Sequence, residues 1–209
     1  MRNTLFLTFV IAILFASVPA QKAYDDTEAY AVYSALIRSE VGSRSKETKV
    51  PALNLVIQTE TSDYPKFSGD SSTIDKCLSY DDKHEAAYPA MISDYKTANK
   101  TPVLLQEKFD LPYKYQFLSK SGYEALFSAK AVFNTKGQDG WKTFYQRYPG
   151  APGFMDLSAV GFNPDRTTAV VYFALHCGWL CAEGTYYILK KDNGKWAVTN
   201  KERQCSWVS

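Results

Sequence analysis

Ten residues, Thr168 to Cys177 (TAVVYFALHC), constrain this chain more than any other stretch. The run is almost continuously apolar and rich in β-branched and aromatic side chains. An amphipathic helix would interrupt such a run with polar residues every three or four positions. A central strand covered on both faces would not. The flanks read as its neighbours. Leu157 to Phe162 is a strand, and Asn163-Pro164-Asp165-Arg166 is a turn. Glu183 to Lys190 is the next strand. Asp192-Asn193-Gly194 then closes a hairpin, because Asn-Gly accepts positive φ at both central positions. Lys195 to about Gln204 completes the set, with Trp196 and Val198 alternating toward one face. Three successive hairpins predict a four-stranded antiparallel meander.

A meander with an apolar face needs cover, and the sequence upstream supplies helices. From Asp25 to Val41, apolar residues recur at helical spacing through Tyr30, Tyr33, Ile37 and Val41, with Leu36 beside the stripe. Asp25 and Glu28 have the spacing of a capping box, and Gly42 is the expected stop. Met91, Ile92 and Tyr95 mark a second helix between about Asp82 and Asn99, started or kinked at Pro89. Asp139 caps a third, in which Trp141, Phe144, Tyr145 and Tyr148 share a face. Strands are expected at Ala52–Thr59, Val103–Phe109 and Tyr113–Leu118. The predicted fold class is therefore α+β, the C-terminal meander being covered by N-terminal and central helices. Pro149-Gly150-Ala151-Pro152-Gly153 interrupts regular structure and is a candidate subdomain boundary within one domain spanning 21–209. No internal repeat points to a solenoid.

The first twenty residues read as a signal peptide. Arg2 precedes the uncharged run Leu5–Phe15, and Val18-Pro19-Ala20 places small residues at a cleavage site after Ala20. The run is shorter than the roughly 20 residues of a membrane span, and no later segment is long and apolar enough to make one. A secreted or periplasmic protein is expected, beginning at Gln21. The chain has 24 Lys+Arg against 22 Asp+Glu, and Arg2 is the only charge within 1–20. A near-neutral mature protein argues against recognition of nucleic-acid phosphates or of an anionic membrane surface.

The segment from Trp141 to Val198 resembles a group of secreted bacterial proteins of unknown function. The likeness rests on W-x-x-F-x-x-x-Y-P-G (Trp141 to Gly150), L-S-x-V-G-F-N (Leu157 to Asn163), a Val-Tyr strand, the turn Gly178-Trp179-Leu180 and G-x-W-x-V (Gly194 to Val198). Similarity extends more weakly back to Leu111-Pro112. The resemblance implies export and no particular activity. The final strands are also similar to the meander of cystatin-like and NTF2-like folds, which implies a helix-covered curved sheet but carries no function.

Four cysteines in an exported chain suit disulfides. If Gly178-Trp179-Leu180 is a three-residue hairpin loop, Cys177 and Cys181 face each other across it, close enough to bond. Cys77 and Cys205 then form the second pair. The competing reading is a reactive thiol pair, but redox cysteines usually stand as C-x-x-C at a helix N-terminus. A metal site would need further ligands, and His176 should face away from Cys177. The other histidine, His84, opens HEAAY, where Tyr88 replaces the second histidine of a zinc-protease helix. No metal or cofactor is expected.

Neither a G-x-S-x-G turn nor a phosphate-binding loop is present. Asp156, Glu124 and Glu183 could converge in space, with Glu183, after the central turn, the foremost candidate. Asn99-Lys100-Thr101 is a glycosylation sequon, expected to be unused in a bacterial setting. With few catalytic constellations and 15 tyrosines, the leading expectation is a non-catalytic binding module. It would engage a protein, a glycan or a small apolar ligand through a contact surface of Trp141, Tyr145, Tyr148, Trp179 and Glu183. The alternatives are an enzyme with a small-molecule pocket on an NTF2-like cone and a thiol–disulfide protein using Cys177 and Cys181.

Overall fold

The computed structural model describes residues 22–48, 54–62, 74–78, 88–127 and 140–208. Five helices lie among them: α1 (Thr27–Thr48), α2 (Ile74–Leu78), α3 (Tyr88–Ala98), α4 (Lys120–Phe127) and α5 (Gly140–Arg147). The strands are β1 (Asn54–Gln58), β2 (Lys114–Leu118), β3 (Phe154–Leu157), β4 (Gly161–Phe162), β5 (Thr168–Gly178), β6 (Cys181–Asp192) and β7 (Lys195–Val208). The chain is α+β, but its sheet is not the expected four-stranded antiparallel meander. It is a mixed seven-stranded sheet of order β2-β1-β3-β5-β6-β7, with β4 also paired to β5. β1 runs parallel to both β2 and β3, whereas the pairs from β3 through β7 are antiparallel.

The long apolar run forms β5, flanked by β3 and β4 on one side and β6 on the other. The side-chain period of two divides it between two cores. Ala169, Val171, Phe173 and Leu175 belong to a core closed by α1 through Tyr33, Leu36, Ile37 and Val41. Val170, Tyr172 and Ala174 belong to a second core, on the opposite face, built with α2 and α3. A third cluster shares that opposite face. There Val56, Leu118 and Phe154 meet Leu126 of α4 and Trp141 and Phe144 of α5. Among the described residues, one face of the sheet thus carries one broad core, and the other carries two.

Several local expectations are corrected. The helix cap is Asp26, not Asp25: Asp26 Oδ1 accepts hydrogen bonds from the N–H groups of Glu28 (3.0 Å) and Ala29 (3.3 Å). Asp25 instead pairs with Lys108. Helix α1 runs through Gly42 to Thr48; a glycine inside a helix is only mildly unfavourable when the turns on either side are held. Val103–Phe109 is not a strand. It lies beyond the carboxyl end of β1, with bridges of Leu104 to Ala23 and Glu60, and the Tyr30 and Ser34 hydroxyls of α1 accept the N–H groups of Gln106 and Asp110. The expected strand 157–162 divides into β3 and β4. At the break, Ser158 Oγ accepts the Tyr172 N–H and donates to the Ala159 carbonyl. Pro149–Gly153 does form turns, with Gly150 and Gly153 at positive φ. The strand that follows, β3, joins the sheet between β1 and β5. Asn193 and Gly194 take φ of 48° and 77° and close the β6–β7 hairpin.

Asp26 has a second task. Arg166 Nη2 donates to both of its carboxylate oxygens at 2.6 Å, while the guanidinium lies 3.9 Å from the Phe162 ring centroid. One carboxylate therefore caps α1 and ties it to the β4–β5 turn. Asp26→Ala is expected to lower stability by about 1–2 kcal/mol, because cap and tie are lost together. Urea denaturation checks this; a loss below about 0.3 kcal/mol would show that Asp26 anchors nothing.

Tyrosines fill the α1 core, and their hydroxyls set an alkaline limit. Burial pushes Tyr24 up to about 12, and the buried Tyr33 well above its ordinary value. Tyr33 Oη donates to the Ser158 carbonyl at 2.7 Å. A tyrosine raised in the folded state loses its proton more readily in the unfolded one. Its stabilisation is therefore complete below pH 10 and declines from pH 10 toward 12. Stability is expected to fall across that window, less steeply in Tyr24→Phe. An identical decline in that variant would exclude Tyr24 as a source.

Candidate functional site

Among the described residues the two clusters on the α2–α5 side are separate. Between them lies a cleft of about 450 Å³. Its floor is the sheet itself, at Asp156 of β3 and Tyr172 and His176 of β5. Gln58 and the segment Glu60–Ser62, just beyond the carboxyl end of β1, form one side with residues 99–102 that follow α3. Lys120, Tyr123 and Glu124 of α4 form the other, and Trp207 of β7 closes one end. A crevice at the carboxyl end of parallel strands, where successive connections diverge, is a recurrent place for ligands in open sheets. Here β2 and β3 lie on opposite sides of β1.

Register explains why the floor is polar. Phe154 stands opposite His176, and Asp156 opposite Ala174. Asp156 and His176 are therefore diagonal neighbours on one face, within reach of each other. His176 Nε2 and Asp156 Oδ2 are 3.0 Å apart, and both side chains are mostly buried, at 20% and 15% exposure. A carboxylate only accepts, so Nε2 donates. The imidazole stacks on Phe154, with centroids 4.7 Å apart and planes 16° apart, and the Trp207 ring lies 5.6 Å from it. The Trp207 ring is itself fixed, its Nε1 donating to Tyr172 Oη at 2.8 Å. Gly184 leaves room for that bond, since a Cβ there would fall 2.3 Å from Tyr172 Oη.

Two residues that line the cleft each carry a buried oxygen without a hydrogen-bond partner: Asp156 (Oδ1) and Ser62 (Oγ). Buried polar atoms are rarely left so. Tyr123, half-buried in α4, has its hydroxyl raised first by burial and then by the Asp156 charge, and so stays a neutral donor. Since Ser62 Oγ has no partner, Ser62 does not form the serine–histidine bond of a nucleophilic triad.

The sequence-derived candidates are distributed differently. Trp141 and Tyr148 are buried in the cluster around Phe144, so they pack rather than present a contact surface. Tyr145 is partly exposed and donates its hydroxyl to the Cys177 carbonyl at 2.8 Å. Trp179, 57% exposed, stands at the β5–β6 tip. Glu183 pairs with Leu175 and lies on the α1 side of the sheet, away from the cleft. Asp156 and Glu124, the other two carboxylates considered, both line it. Cys177 and Cys181 are disulfide-bonded, with Cα atoms 5.0 Å apart. The loop between them is not the expected three-residue hairpin. Gly178 pairs with Cys181 around a two-residue turn, and the register shift leaves Cys177 as a bulge immediately after His176. Cys77 is buried and also disulfide-bonded. The side chain of Cys205 lies outside the described residues, as do His84, Asp139 and residues 1–21. Asn99 of the sequon is held in the fold, its amide donating to the carbonyls of Tyr95 and Ala159 and accepting the Ala159 N–H.

Sequence reasoning missed His176, Trp207 and Ser62 as parts of one site. A local signal existed for Asp156: it is the charged residue in FMDL, at an inward position shared with Phe154. No described helix is long and apolar enough to cross a membrane, and no described group of three His, Cys, Asp or Glu residues could hold a metal ion. Compared with protein-family models, with curated proteins and with solved structures, the chain matches none.

Proposed function

We propose that this protein is an exported, non-catalytic binding module that holds a small polar ligand in the cleft between α3 and α4. One observation carries the reading. Asp156 places a buried, unpartnered carboxylate oxygen on the cleft floor while His176 holds the other. A ligand that donates a hydrogen bond there satisfies a group that is otherwise costly to bury. The cavity's volume lies in the range of small-molecule sites, and its few convergent polar groups would fix orientation. The signal-like N-terminus and the disulfides favour an oxidising compartment.

The reading is tested by titrating a library of polar fragments into the protein and following side-chain resonances by NMR. Fragments are expected to move the His176 imidazole and the Trp207 indole, each assigned by substitution. Asp156→Asn is expected to weaken the hits about tenfold or more, because a charge-assisted bond is lost. Hits that move resonances on the Tyr113–Gln116 edge or around Trp179, and leave His176 and Trp207 unmoved, would overturn the proposal.

A further inference from the structure

Resting on that reading of the cleft, we infer that its ligand is a neutral saccharide, a mono- or disaccharide unit whose hydroxyls bridge Asp156, Glu124 and Lys120 while a sugar face lies against Trp207. The lining mixes both hydrogen-bonding senses. Glu60, Glu124 and Asp156 only accept, and Lys100 and Lys120 only donate. Three carboxylates interleaved with two lysines leave little net field to select an ion. A phosphate would meet carboxylates on both sides, and an ammonium would meet the lysines. An apolar ligand would leave Asp156 Oδ1 buried and unpaired. A hydroxyl group both donates and accepts, so it alone of these classes can use neighbouring carboxylates and ammonium groups together.

The aromatic component points the same way. Trp207 is locked by its bond to Tyr172 and by packing against His176. Tyr123 is held between Phe127 and Phe154. Rigid amphipathic rings offer contact area with little ordering left to do. The C–H face of a pyranose ring is apolar and its rim is polar, which matches a ring-lined wall above a polar floor.

Calorimetry with defined probes tests this: N-acetylglucosamine, cellobiose and maltose as neutral sugars, glucose 6-phosphate as an anion, spermidine as a cation and anilinonaphthalene sulfonate as an apolar probe. At least one neutral sugar is expected to bind tighter than the three other classes. Glu124→Gln and Trp207→Ala are each expected to weaken it about tenfold. Because Trp207→Ala removes packing as well as contact, Glu124→Gln, on an exposed helical position, provides the variant that leaves the core alone. If spermidine, the phosphate or the apolar probe binds best and still moves the His176 resonance, the saccharide assignment is wrong and the cleft reading stands. If no probe moves His176 or Trp207, both fall.

Discussion

Gly153→Ala is expected to lower the unfolding free energy by about 3–5 kcal/mol, a large share of what a single-domain protein has. Gly153 has φ of +138°, a region that only glycine occupies without strain. Its missing side chain also matters, since a Cβ would fall 2.0 Å from the His176 carbonyl oxygen and 2.9 Å from its carbon. Both obstacles are backbone atoms and cannot swing aside. Gly194→Ala separates the two effects. Gly194 shares the positive φ but has open space around it, so about 1 kcal/mol is expected there. Paired urea titrations of the two variants decide the matter. Equal losses would mean that the contact with His176 contributes nothing. Because the contacted carbonyl belongs to His176, a folded remnant of Gly153→Ala should also show a displaced imidazole resonance.

Phe144→Ala is expected to have a comparable effect, about 3–5 kcal/mol. Phe144 is fully buried, and its ring lies within 6.4 Å of those of Phe127, Trp141, Tyr145, Tyr148 and Phe154. Truncation leaves a cavity where α5 meets the sheet, and rigid aromatic neighbours collapse poorly into it. Thermal denaturation reads the loss directly. A change under 1 kcal/mol would mean that α5 contributes little to the fold. The effect should also reach the cleft, because Phe154, which loses a neighbour, is the ring on which His176 stacks.

Local chemistry made part of this fold legible in the sequence. The unbroken apolar run of β5, the stripe from Tyr30 to Val41 and the Asn193-Gly194 turn are signals contained within a few residues, and each is found where those signals put it. The parallel attachment of β1 to β2 and β3 has no such signal. It depends on pairings of Val56 with Gln116 and Phe154, separated by long stretches of chain, and nothing in any one segment specifies its neighbour. The division of 157–162 turned on the hydroxyl of one serine. The cleft was the least legible feature for the same reason. Asp156 and His176 are 20 residues apart and meet only through the β3–β5 register, while Lys120, Tyr123 and Glu124 arrive on a helix from elsewhere. Glu183 looked better placed by its proximity to a turn, but the period of two puts it on the other face.

Alternation along these strands also means that the floor of the cleft has no backbone of its own. Asp156 sits between Met155 and Leu157, both wholly buried against α1, and His176 follows Leu175, which faces the same way. The residues that would touch a ligand and the residues that hold the opposite core are successive beads on one thread. For anyone reshaping the site, the far side of the sheet is then a remote adjustment screw: a volume change at Met155 or Leu175 would tilt the floor of the cleft without placing a single new atom in it.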